Sequence, residues 1–69
     1  MTQKELLYLE DAIGHESNII MICQSNLEMI SEPEIVSFMQ NELKKHINMK
    51  EKLLNFLEDK KDEWLFIFG

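Results

Sequence analysis

Arginine is missing from this sequence, proline, cysteine, tryptophan and tyrosine occur once each, and glycine occurs twice. Each scarcity removes a class of function. Without Arg there is no planar fork to clamp a phosphate or carboxylate in two places at once. Seven lysines against thirteen acids leave a net charge of −6. Nucleic-acid binders gather positive charge on one face, so nucleic acid is not an expected partner. A single cysteine, Cys23, allows no intrachain disulfide, which fits a reducing compartment. Three Gly and Pro residues in a chain of 69 are too few for a loop-rich or disordered protein. The longest apolar runs, IIMIC at 19–23 and WLFIF at 64–68, are too short to span a bilayer. Lys4, Glu5, Glu10 and Asp11 interrupt any secretory signal core. The expectation is a soluble, cytoplasmic protein. A Gly-rich phosphate loop, a Ser-His-Asp set and a zinc-type Cys pair are all lacking, so no catalytic residue and no cofactor are expected.

What remains is a chain rich in Leu, Ile, Met, Glu and Lys, the composition of helices. Thr2 with Glu5 forms a capping box that starts the first one. From there Leu6, Leu9, Ile13, Glu16, Ile20, Cys23, Leu27 and Ile30 recur at alternating steps of three and four. This is a seam facing a core. A second row, Tyr8, Ala12, His15, Ile19, Ile22 and Met29, flanks it and widens the apolar face. Gly14 lies outside the seam and weakens the helix relative to Ala. Ser31-Glu-Pro-Glu34 is the only break. Ser31 with Glu34 offers a second capping box, and Pro33 suits a first helical turn. Helix two then carries Ile35, Met39, Glu42, His46, Met49, Leu53 and Phe56 as its seam, with Val36, Leu43, Lys50 and Leu57 alongside.

The fold class expected is therefore all-α, an antiparallel two-helix hairpin. Helix one covers about 3–30 and helix two about 32–61, with a single hairpin domain at 1–61 and an apolar tail at 62–69. A lone hairpin cannot cover two broad apolar faces. Two copies pairing into a four-helix bundle can, so a homodimer is the expected closure. Cys23, within the seam, is expected to pack as a small hydrophobe, and the five methionines as core filler.

Three seam positions are polar: Glu16, Glu42 and His46. With the turn near Ser31, residues whose numbers add to about 63 stand level, which places all three in one slab of the bundle. One reading is a buried hydrogen-bonded pair, Glu16 with His46 and Glu42 at its edge. The other is a metal site for iron, manganese or zinc, since dimer symmetry would supply four carboxylates and two imidazoles. Di-iron bundles place Glu and His three residues apart on one helix. Here Glu42 and His46 are four apart, and residue 43 is Leu. Asp11 and His15 are expected as a solvated helix pair.

KELLYLEDAIGHE at 4–16, SEPEI at 31–35, KKH at 44–46 and LLNFLE at 53–58, taken together, resemble the small ferritin-like proteins related to spore coat protein F of spore-forming Firmicutes. The resemblance covers residues 2 to about 58. It implies half of a ferritin-like four-helix bundle, a structural protein of sporulation rather than an enzyme, a location in the spore coat, and other coat or assembly proteins as partners. It also implies that Glu16 and His46 occupy the acid and imidazole positions of ferritin-like sites, while Leu43 departs from the second acid. Glu42 and His46 then look like remnants of a ligand slab, now a polar layer.

DKKDE at 59–63 is a solvated charge run. The segment WLFIF that follows overhangs the hairpin. Trp64, Phe66 and Phe68 either continue helix two and cap the end of a dimer, or anchor a protein partner as an aromatic binding segment.

Overall fold

A computed structural model describes the backbone of residues 1–68 and the side chains of residues 1–60. Two helices make up the described residues: α1, Gln3–Met29, and α2, Pro33–Phe68. They pack against each other as a hairpin joined by Ile30, Ser31 and Glu32. The molecule measures 52 × 15 × 13 Å, a rod one helix thick in its smallest dimension. No helix among the described residues is long and apolar enough to cross a membrane.

The start of α1 follows from two side chains. The Glu5 backbone N–H donates to Thr2 Oγ1 at 3.1 Å, and the Thr2 backbone N–H donates to Glu5 Oε1 at 2.9 Å. Each satisfies a helix-end donor that would otherwise face water alone. The Thr2 hydrogen bonds hold the Glu5 carboxyl below the usual carboxylate range, the backbone N–H having the larger effect. A depressed folded-state pKa contributes stability at neutral pH and loses it as pH falls through that lowered value. Thr2→Ala is expected to cost on the order of 1 kcal/mol, read as a lower denaturant midpoint. Glu5→Gln should be less stable than wild type at neutral pH, and the difference should vanish on acidification.

α1 ends where Ile30 turns to extended backbone while its N–H still reaches the Asn26 carbonyl at 3.1 Å. α2 begins one residue later than a Ser31–Glu34 capping box requires. Pro33 is its first helical residue, and the Glu32 carbonyl accepts from the Val36 N–H at 2.9 Å. Proline lacks an N–H and carries a pre-set φ, so the first helical position suits it best. That preference places the start at Pro33 and displaces the expected box.

α2 runs past the hairpin boundary at 61, the continuation that is one of the two alternatives for the tail. Its backbone continues through residue 61 to Phe68, so the segment 62–68 is an extension of the helix. The side chains of Trp64, Phe66 and Phe68 lie outside the described residues.

The α1 seam packs as its spacing predicts. All eight positions from Leu6 to Ile30 are withdrawn from solvent, and Cys23, 6% exposed, is the one buried residue among those described. The α2 seam requires a correction. Ile35, Met49 and Phe56 remain 47%, 46% and 52% exposed. Val36, Leu43, Lys50 and Leu57 are the more withdrawn residues, alternating with Met39, His46 and Leu53. The two rows flank the Met39, His46 and Leu53 row on either side, and both recur every seven residues. Apolar periodicity reports the width of a face, and the partner helix selects the sector it covers. Lys50 holds a seam position because its aliphatic stem can lie along apolar surface while the ammonium reaches water.

Gly14 has a helical φ and faces open space; a Cβ built there meets nothing within 4 Å. The residue therefore carries its helix penalty without a packing reason. Gly14→Ala is expected to stabilise by about 0.5–1 kcal/mol, measured by thermal or urea unfolding.

Candidate functional site

Glu16 projects from the α1 seam between Ile13 and Ile20, half-way along the hairpin. Antiparallel packing brings it level with His46 of α2. The imidazole Nδ1 lies 2.5 Å from Glu16 Oε2, a contact joining residues 30 positions apart. An ionised carboxylate can only accept, so the Nδ1–H donates. Charge-assisted bonds of this kind are short and are roughly twice as strong as neutral ones. The Glu16 and His46 side chains are 16% and 28% exposed, so water weakens the bond only in part.

One helical turn before His46, Glu42 presents Oε2 to the other ring nitrogen. Nε2 and Glu42 Oε2 are 3.9 Å apart, an electrostatic approach beyond hydrogen-bond distance. Glu42 Oε1 accepts from Lys45 Nζ at 3.3 Å, an i,i+3 pair on the surface of α2. The imidazole thus stands between two carboxylates, fixed by the α1 acid and faced by the α2 acid. The three residues stand level around His46 as their spacing implies, but the layer is only part-buried, no side chain of the three being fully withdrawn from solvent. Lys45 was not foreseen as a member, although its three-residue spacing from Glu42 is the ordinary signal for such a pair.

Ring geometry decides what the slab can do. Glu16 and Glu42 occupy opposite nitrogens, so the three side chains form a chain rather than a cage. Among the described residues, no three His, Cys, Asp or Glu side chains are grouped so as to hold a metal ion. The pair that could contribute to one is Nε2 with Glu42, with Glu16 orienting the ring from behind, as carboxylates do for metal-bound imidazoles. No third His, Cys, Asp or Glu among the described residues completes such a set. Asp11 and His15 are exposed on α1, and Cys23 is a buried free thiol.

A concavity lies at the open end of the hairpin. Met1, Glu5, Leu9, Phe56 and Lys60 line a cleft of about 390 Å³. Lys60 Nζ sits 5.8 Å from the centre of the Phe56 ring, within cation–π range.

Comparison with protein-family models, with curated proteins and with solved structures finds no match for this chain.

Proposed function

We propose that this chain is a non-catalytic structural or assembly protein, a helical hairpin that pairs with a second copy into a ferritin-like four-helix bundle. The observation that carries the reading is the shortage of a core. Two long helices bury one residue among those described, while ten large hydrophobic side chains stay exposed, Met29 at 87%. The accessible surface is 5498 Å². A folded monomer of 8.2 kDa ordinarily exposes about 4500 Å². The excess of about 1000 Å² resembles the roughly 800 Å² that each partner buries in a standard protein interface. In this reading the Glu16–His46 bond and Glu42 are a polar layer that fixes how the helices sit. Its location would be the cytoplasm or, as the resemblance to the spore coat protein F relatives implies, the spore coat.

An obligate dimer has no stable folded monomer, so its stability depends on concentration. Helicity and thermal midpoint should both fall on serial dilution. Concentration-independent melting of a fully helical chain would argue against pairing.

One observation favours a second reading, metal binding: Nε2 of His46 faces Glu42 with Glu16 orienting the ring. Iron, manganese or zinc at 100 times its dissociation constant would add about 2.7 kcal/mol of stability if it bound only the folded state. The structural reading predicts an unchanged midpoint with each metal. A midpoint that rises with metal in wild type and not in His46→Leu would replace it.

A further inference from the structure

We infer that the second copy docks on one particular side of the hairpin, the side carrying Tyr8, Ile22 and Met29 of α1 and Ile35, Met49 and Phe56 of α2. This deepens the self-association proposed above and rests on it. The seam divides the exposed hydrophobic residues between two sides. On α1, Tyr8, His15, Ile22 and Met29 fall in one row with seven-residue spacing, His15 being its exposed polar member, and Leu7 and Met21 fall in another. The two rows flank the seam on opposite sides, because neighbouring residues are turned about 100° from each other on a helix. On α2, Ile35, Met49 and Phe56 share a row with Glu42, and Phe38 lies beside that row on the same side.

The open-end cleft fixes which α1 row joins which α2 row. Glu5 and Phe56 line it together, so Phe56 lies on the Glu5 side of the seam. Glu5, Ala12 and Ile19 are seven apart and sit beside the Tyr8 row. The rows of Tyr8 and Phe56 therefore form one continuous face. The six large hydrophobic residues of these two rows are exposed in the single hairpin.

The opposite side is much poorer. Its exposed large hydrophobic residues are Leu7, Met21 and Leu54, and Lys44, Glu51 and Glu58 are exposed in an adjoining row of α2. A face continuous over the length of the hairpin suits a second copy, because a two-fold axis sets the same patch against itself. The surface excess of the hairpin is close to what one such interface removes.

This docking also accounts for Glu42. It is the polar member of the Ile35–Glu42–Met49–Phe56 row and would be covered by the partner. A covered carboxylate needs counter-charges and hydrogen bonds. Lys45 at 3.3 Å already supplies both, and the His46 ring stands beside it at 3.9 Å. The polar slab thus extends from the intrachain seam at Glu16 to the docking face at Glu42.

Met21 and Ile22 make the test, since they are adjacent, almost equally exposed at 59% and 57%, and on opposite sides. Met21→Cys and Ile22→Cys, each in full-length Cys23→Ala protein, are alkylated with iodoacetamide while the mass of the assembly is recorded. In the dimer, Ile22→Cys should react at least tenfold more slowly than Met21→Cys, and dilution to monomer should bring the rates together. Protection of Met21→Cys, or equal reactivity at both sites in a confirmed dimer, overturns the docking face and leaves self-association standing. A wild-type chain that stays monomeric overturns self-association itself. As a second readout, Ile22→Glu and Met49→Glu should raise the dimer dissociation constant at least 100-fold, whereas Leu7→Glu and Leu54→Glu should leave it within threefold. The opposite pattern would assign the interface to the other side.

Discussion

Leu27→Asp is expected to unfold the chain at concentrations where wild type is helical. Leu27 sits in the α1 seam between Cys23, the one buried residue described, and Ile30. Truncating a packed Leu costs about 2–5 kcal/mol through lost transfer energy and the cavity left behind. A carboxylate facing apolar neighbours adds a desolvation cost. A domain of this size has about 3–10 kcal/mol of total stability, so the substitution consumes most or all of it. Leu7→Asp places the same charge at an exposed position of the same helix and should change stability by less than about 0.5 kcal/mol. Far-ultraviolet circular dichroism of both variants tests the seam. Equal helicity in the two would mean that the Leu6-to-Ile30 row does not carry the fold.

The second large effect concerns the slab. Glu16→Leu leaves His46 Nδ1–H without its acceptor, and His46→Leu leaves a partly buried carboxylate without its donor. Each should cost about 1.5–3 kcal/mol, the scale of a hydrogen bond to a charged group. The double variant Glu16→Leu/His46→Leu removes both polar groups and orphans neither. It should be milder than the sum of the singles, because replacing a buried polar pair by apolar side chains is often neutral or stabilising. The coupling read from the cycle should therefore exceed about 0.5 kcal/mol. Strict additivity would show that the two residues act independently, whatever their distance.

These two experiments probe the parts most legible in the sequence. The α1 seam could be read residue by residue because its three-four alternation has a single sector of maximal burial. The slab could be read because antiparallel helices joined by a short turn fix which residues stand level, and Glu16 and His46 are level. The Thr2–Glu5 box was legible because its chemistry lies within one helical turn.

The misreadings have physical causes as well. In α2 the row of Ile35, Met49 and Phe56 and the row of Val36, Leu43 and Leu57 are both apolar and flank the Met39, His46 and Leu53 row on either side. Which one meets α1 depends on the rotation of the whole helix, a property of the packed pair. The large side chains of the first row now belong to the open face. The level of the α1 start places the end of the hairpin near residue 61, and because nothing in DKKDE breaks a helix the backbone continues to Phe68. Pro33 displaced the Ser31–Glu34 box by a single residue, an offset that spacing does not resolve.

The central claim is that a hairpin with almost no core of its own forms one with a second copy. Sedimentation equilibrium over a wide concentration range measures this most directly. The account predicts a folded species of twice the 8.2 kDa chain mass, in equilibrium at high dilution with a monomer that has lost helicity. A fully helical, monodisperse 8.2 kDa particle at every concentration would contradict it.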